Sequence, residues 1–265
     1  MPFRVARLSL PAKVGYMAEE GLAGTRAVPR QVRVSVREDD GSSRDGLEWS
    51  RVSAERLASA VPWRTFRWYH GQQHFPGAYW SATMSDHVIY ESRLELARLL
   101  YADFDPAVRS VSAQPFLLTA QVGGKERRHV PDFLLLTGGG PVVVDVKPRS
   151  RLAKQDVAFT LAWCRAAVEG RGWEYEVWSE PPEAELANIS MLAGYRRAWL
   201  FDAALIGALT GADLDGARLR DVPAAVTGWP RRLVWAHLMH LLWTRAYRTD
   251  LATVLSGGHV LSRPA

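Results

Sequence analysis

Leucines recur at helical spacing between Glu91 and Leu100, among residues that favour helices, and Asp105-Pro106 marks an end to the pattern. This predicts a helix with one buried face. Three apolar runs separated by glycine-rich turns follow and predict three strands, at 108–122, 129–136 and 142–147. The second and third should form a hairpin, because only the short turn at 138–140 separates them. The last run, rich in valine, is typical of a central strand.

A helix from about 151 to 169 and a strand at 173–178 complete the order α-β-β-β-α-β. We therefore expect an α/β fold: a mixed sheet flanked by helices. The chain before this core mixes short alternating runs with turns, which predicts a β-rich region. After Pro181-Pro182 the pattern turns helical, with the clearest helices at 189–201, 203–209 and 231–244. The predicted divisions are a β-rich region at 1–80, an α/β core at 81–182 and a helical domain at 183–265.

The 33 Lys and Arg residues exceed the 28 Asp and Glu residues, which gives a net charge of +5. This balance favours a polyanionic partner such as nucleic acid. A single cysteine, Cys164, excludes an internal disulfide and a zinc site built from several cysteines. No stretch approaches the roughly 20 apolar residues that a membrane helix needs, and no targeting signal is evident. We expect a cytoplasmic protein without a membrane partner.

The predicted hairpin carries the chemistry that defines a function. Asp132 on one strand and Asp145 on its neighbour can converge on one divalent cation, and carboxylate oxygens suit Mg²⁺, with Mn²⁺ as a substitute. Lys147 shares a strand face with Asp145, since side chains two positions apart point the same way. An amine beside a metal-bound water fits phosphodiester hydrolysis. The alternative is a surface hairpin with solvated charges, but charges at the end of a valine strand are costly to bury unpaired.

A third carboxylate should come from the preceding helix, where Glu91 and Glu95 lie one turn apart. We favour Glu95 as the metal ligand and assign Glu91 a supporting role. The spacing of Ser92 and Glu95 also matches a capping box, in which the glutamate only caps the helix. Both interpretations stay open.

These residues together resemble the TnsA-type endonuclease subunit of heteromeric transposases, in the PD-(D/E)XK restriction-endonuclease-like superfamily. The similarity spans roughly residues 80–180 and lies in an ordered series of motifs, namely Ser92-Arg93-Leu94-Glu95-Leu96, Asp105-Pro106-x-Val108, Gln114-Pro115, Val130-Pro131-Asp132-Phe133-Leu134 and Asp145-Val146-Lys147-Pro148. Some family members have Gln where this chain has Asp145. The first 75 or so residues take no part in this resemblance.

The resemblance implies a Mg²⁺-dependent, bacterial, nucleoid-associated endonuclease that cuts the 5′ ends of a mobile element. It further implies double-stranded DNA at the transposon ends, a DDE recombinase partner and an ATPase regulator, together with a winged-helix-like C-terminal domain. Two other functions remain open: an autonomous restriction or repair nuclease, and an inactive DNA-binding assembly module.

Basic and polar residues around the hairpin are candidates for support of this chemistry. We expect four of them to contact phosphates that flank the scissile bond, namely Arg128, Arg149, Arg151 and Lys154. Each fits a solvated turn or helix start about as well. Gln114 is expected at the site edge, or as a purely structural strand residue. His237 and His240, one helical turn apart, fit core packing better than metal binding.

Aromatic and basic residues are interleaved near the start of the chain, around Trp63, Trp68 and Trp80. Such a pattern can stack on nucleic acid. Core packing explains most tryptophans equally well.

Overall fold

The computed structural model describes residues 27–64 and 76–264. Trp68 and parts of the predicted β-rich region lie outside these ranges. The described residues up to Glu180 form one compact unit, and those from Pro181 onward form a second. The predicted three-part division stays a prediction.

The first unit contains two four-stranded sheets. One is antiparallel, with the order β2-β1-β6-β7, and its strands are β1 (Arg30–Arg37), β2 (Ser43–Glu48), β6 (Leu117–Val122) and β7 (Lys125–His129). A short helix, α1 (Ala54–Ala58), follows β2. Its N-cap residue Ser53 accepts a hydrogen bond from the backbone N–H of Arg56, so a side chain fixes where the helix starts.

The second sheet carries the predicted hairpin. Its order is β10-β9-β8-β5, and its strands are β5 (Val108–Ala113), β8 (Phe133–Thr137), β9 (Gly140–Val146) and β10 (Glu174–Trp178). The β9 and β10 strands are parallel, whereas the other pairs are antiparallel. The expected mixed sheet and the expected β8–β9 hairpin are therefore both confirmed.

Helices flank this sheet, as expected for a restriction-endonuclease-like core. They are α2 (Arg93–Phe104), α3 (Arg149–Leu152) and α4 (Gln155–Glu169), and a hairpin of β3 (Gly77–Ser81) and β4 (Asp86–Tyr90) precedes α2. The start of α2 is fixed by its N-cap residue Ser92, whose side chain accepts from the N–H of Glu95.

The core lies between the two sheets and α4. Inward-facing residues of both sheets meet apolar residues of the helix, among them Val34, Leu118, Leu134, Val143, Trp163 and Val168. Trp49 packs against Phe116 and donates its indole N–H to the carbonyl oxygen of Ala167 at 2.9 Å. The hydrogen bond satisfies the polar end of a buried ring and ties the β2 loop to α4.

Three predicted elements of this unit were wrong in their bounds. The strand expected over 108–122 is two strands, because Gln114 has a left-handed backbone (φ 46°) and Pro115 has no N–H for a ladder. The helix expected over 151–169 is interrupted between α3 and α4 at residues 153–154. The strand expected from His129 is also divided: His129 ends β7, and β8 begins at Phe133.

The second unit is helical, as expected, with α5 (Glu183–Leu192), α6 (Ala203–Gly211), α7 (Val222–Ala225) and α8 (Arg231–Trp243). The predicted helix 189–201 ends early, at Leu192, and short 3-10 turns take its place. A winged-helix arrangement of this unit stays a prediction. In the described part of the chain, no helix combines the length and apolar composition that crossing a membrane requires.

The histidines of α8 are buried and bonded to backbone, as the sequence favoured. Both ring nitrogens of His237 are engaged, with the carbonyl of Leu233 at 2.8 Å and the N–H of Asp202 at 2.8 Å. The Nδ1 atom of His240 lies 2.7 Å from the carbonyl oxygen of Tyr195. These imidazoles stabilise the packing of α8.

Candidate active site

The register of the β8–β9 hairpin brings Asp132 and Lys147 together. Phe133 at the start of β8 pairs with Val144 near the end of β9, so Asp132 lies beside the last residues of β9, which Lys147 directly follows. The Lys147 Nζ atom is 3.1 Å from Oδ2 of Asp132. The same oxygen accepts the backbone N–H of Val146 at 2.6 Å. Both side chains remain partly accessible, with exposed fractions of 26% for Lys147 and 20% for Asp132.

Burial and neighbouring charges shift the pKa values of both residues. Burial and the charge of Asp145 raise the pKa of Asp132 above its ordinary value, while Lys147 and the Val146 N–H act in the other direction. Burial lowers the pKa of Lys147, but the negative charges of Asp132 and Asp145 outweigh it and leave the pKa raised. Lys147 is therefore an ammonium ion at neutral pH.

Glu95 makes the capping contacts that the sequence allowed, and its role as a metal ligand stays a prediction. Its carboxylate accepts the Ser92 hydroxyl at 2.9 Å and the backbone N–H of Glu91 at 2.7 Å, while its own N–H donates to Ser92. This is a capping arrangement, reaching one residue further back than the standard box. Burial, followed by the charge of Asp132, also raises the pKa of Glu95 to about 7. The capping contacts thus hold the Glu95 carboxylate close enough to Asp132 for the charge of Asp132 to act on it.

Asp145 occupies a different environment. Its side chain is fully buried, its Oδ1 lies 2.7 Å from Nε2 of His129, and its Oδ2 accepts a hydrogen bond from the hydroxyl of Tyr175. Burial alone would raise the pKa of Asp145, but the charge and hydrogen bond of His129 outweigh it and hold the pKa below its ordinary value. The same pairing raises the pKa of His129 against the lowering effect of burial. A buried carboxylate with hydrogen bonds to an imidazole and a tyrosine hydroxyl thus connects β9 to β7 of the other sheet and to β10 of its own.

A comparison of the sequence with known protein families covers most of these residues. Residues 105–180 match the family model of the TnsA-like endonuclease N terminal. This segment is thus similar to a TnsA-like endonuclease domain. The matched segment includes Asp132, Asp145 and Lys147, whereas Glu95 precedes it. No curated protein matches the chain.

Gln114 connects the β8–β9 hairpin to Glu91, which lies just before α2. Its side-chain amide donates to Oε1 of Glu91 at 2.7 Å, and its carbonyl oxygen accepts the N–H of Arg64 at 3.0 Å. Its backbone N–H donates to the carbonyl oxygen of Asp132 at 2.9 Å. The structure therefore places Gln114 and Glu91 beside the carboxylate cluster, as their predicted supporting role requires.

The four basic residues predicted to contact DNA are all exposed. Arg128 forms an ion pair with Glu126 at 2.8 Å, and Arg149 donates to the backbone carbonyl of Glu180 at 2.7 Å. Arg151 ends up in α3, and Lys154 directly precedes α4. Their contact with DNA stays a prediction.

Sequence reasoning did not find the partners of Asp145. His129 and Tyr175 fall within the predicted strands 129–136 and 173–178, and neither was predicted as a site residue. A signal was available, because a carboxylate inside a valine strand needs buried hydrogen-bond donors. Which strands supply them depends on long-range pairing, which local spacing does not reveal.

Proposed function

We propose that this protein is a divalent-cation-dependent endonuclease subunit that cuts the 5′ ends of a mobile element, beside a DDE recombinase and an ATPase regulator. The observation that supports it best is the cluster of Asp132, Lys147 and Glu95 at one end of the hairpin in a TnsA-like endonuclease domain. The similarity to the family supports the proposed partners, and the residues support the proposed chemistry.

The carboxylates fit a hard divalent cation such as Mg²⁺. Asp132 and Glu95 lie close enough for the charge of one to raise the pKa of the other, and burial adds to that cost. A cation between them would offset this repulsion, and oxygen donors are the ligands that Mg²⁺ prefers. We assign the cation to these two side chains. Asp145, predicted as a third ligand, has both oxygens hydrogen-bonded in the core.

The bound cation would acidify a water molecule and offset charge on the scissile phosphate. Lys147 supplies a fixed positive charge next to Asp132, positioned to orient the attacking water or to stabilise charge that develops on the phosphate. Asp132 holds that ammonium group in place through its Oδ2 atom. Arg151 and Lys154 follow Lys147 in sequence, and they would contact the flanking phosphates of double-stranded DNA.

The proposal is tested with Asp132→Asn and Lys147→Ala in a cleavage assay on duplex DNA that carries the ends of the element, with the partner proteins and Mg²⁺ or Mn²⁺. We expect both variants to lose 5′-end cleavage while partner binding is retained. The matched controls are Asp156→Asn and Lys125→Ala, which change exposed residues of the same types and should cut normally.

Normal cleavage by Asp132→Asn or by Lys147→Ala would reject the proposed site. Cleavage of plain duplex DNA without any partner would instead favour an autonomous nuclease. Absence of cleavage and of Mn²⁺ binding by the unaltered protein would favour an inactive assembly module.

A further inference from the structure

Asp145 has no accessible oxygen to offer a cation. Its side chain is 0% exposed, and each carboxylate oxygen already accepts a hydrogen bond, one from His129 and one from Tyr175. Asp132 differs, because it remains partly exposed, and the structure gives hydrogen bonds to its Oδ2 atom only.

The contacts of Asp145 fix the end of β9 from both sides. His129 ends β7, three residues before Asp132, and Tyr175 lies in the neighbouring strand β10. The peptide group that follows Asp145 carries the Val146 N–H, which donates to Asp132 at 2.6 Å. The next residue, Lys147, donates its backbone N–H to the carbonyl of Trp178 in β10 and its ammonium group to Asp132. The position of Asp145 therefore sets the position of the groups that hold Asp132.

We propose that His129 and Tyr175 are positioning residues that act through Asp145, and that Asp145 anchors the catalytic hairpin in place of ligating the cation. The inference rests on the proposed function, which assigns the cation to Glu95 and Asp132. A buried carboxylate held by two donors resembles the supporting hydrogen bonds that orient ligands around metal sites.

The deciding measurement is Mn²⁺ affinity, followed by electron paramagnetic resonance, in Asp145→Asn and Asp132→Asn. Asparagine can accept from Tyr175 and donate to a neutral His129, so it preserves the anchor but is a poor cation ligand. We expect Asp145→Asn to bind Mn²⁺ within about threefold of the unaltered protein, and Asp132→Asn to bind it at least about tenfold more weakly.

Cleavage kinetics test the positioning role. His129→Leu should lower kcat about tenfold or more, with little change in KM for DNA, because it releases the anchor without touching substrate. His129→Gln should restore most of the activity, since its amide N–H can replace Nε2–H as a donor. Tyr175→Phe removes one hydrogen bond and should have a smaller effect. If His129→Leu does not fold, the positioning role is tested by comparing kcat of His129→Gln with kcat of the unaltered protein.

Three outcomes overturn the inference. The first is loss of Mn²⁺ binding in Asp145→Asn as severe as in Asp132→Asn, which would make Asp145 a ligand and leave the proposed function standing. The second is activity in His129→Gln as low as in a cleavage-dead variant. The third is loss of bound metal in Cys164→Ala, since the ligand atoms of Cys164, His129 and Asp145 lie within 4.8 Å of one another and would then form a metal site. Unchanged Mn²⁺ binding and cleavage in Asp132→Asn would instead reject the proposed function.

Discussion

The backbone N–H of Gln114 donates to the carbonyl oxygen of Asp132 at 2.9 Å, while the side chain of Gln114 reaches Glu91. Glu91 in turn donates its backbone N–H to the carboxylate of Glu95. One residue therefore links the two carboxylates assigned to the cation, one through the backbone and the other through a chain of two hydrogen bonds. Its backbone is left-handed, a conformation that costs a residue with a side chain about 1 kcal/mol or more.

Substitutions at Gln114 should distinguish the energetic cost of its left-handed backbone from the role of its side chain in holding Glu91. Gln114→Leu and Gln114→Gly both lose the contacts with Glu91 and Arg64, but glycine adopts the left-handed backbone freely. We expect Gln114→Gly to be more stable than Gln114→Leu by about 1 kcal/mol in urea unfolding. Both should cut DNA more slowly, because Glu91 is released in each. Full activity in Gln114→Gly would show that the side chain does not position the site.

The raised pKa of Glu95 predicts how stability depends on pH in metal-free protein. Its pKa is 4.5 in the unfolded chain and about 7 in the folded one, so the folded state binds more protons in that window. The free energy of unfolding in EDTA should therefore fall as pH rises from 4.5 towards 7 and then level off. Glu95→Gln should show a shallower slope over this range. An identical slope in both proteins would mean that other groups cause it.

The pH dependence of metal affinity is a second test of Glu95. A divalent cation binds ionised carboxylates, so it competes with the proton on Glu95. Apparent affinity for Mn²⁺ should increase as pH rises through 7 and level off above it, measured by calorimetry. Glu95→Gln should bind more weakly and lose this pH dependence. Asp156→Asn, which changes an exposed carboxylate, serves as the matched control and should keep the pH dependence.

Local patterns predicted the elements that carry the site, and long-range contacts explain what they missed. Leucine spacing and the Ser92 cap defined α2, and short turns defined the β8–β9 hairpin. The same local information could not show that the carboxylate of Asp145 points to His129 and Tyr175, because these residues lie on strands separated along the chain. The break at Gln114 was also missed, although Pro115 was a local signal against a continuous strand.

The predicted DNA contacts of Arg151 in α3 and of Lys154, which precedes α4, can be tested through the salt dependence of binding. Arg151→Ala combined with Lys154→Ala should weaken duplex binding, and each lost phosphate contact should reduce the slope of log affinity against log salt by about 0.9. Fluorescence anisotropy at several salt concentrations measures the affinity for duplex DNA and its dependence on salt. Arg51→Ala changes an exposed arginine of the β2 turn and is the control. An unchanged slope in the double variant would remove these residues from the interface.

Asp103 should matter for stability more than any exposed carboxylate. Near the end of α2 it accepts four hydrogen bonds from the β3–β4 hairpin, at 2.7 to 3.0 Å, from Tyr79 Oη, Ser81 Oγ, Ala82 N and Thr83 N. Removing the acceptor leaves several buried donors without partners, so Asp103→Ala should lower the free energy of unfolding by about 3 kcal/mol. Tyr79→Phe removes a single donor and should cost about 1 kcal/mol. Urea unfolding measures both, with Asp156→Ala as the exposed control. A cost for Asp103→Ala no larger than that control would contradict the role of Asp103 in fixing the hairpin to the helix that carries Glu95.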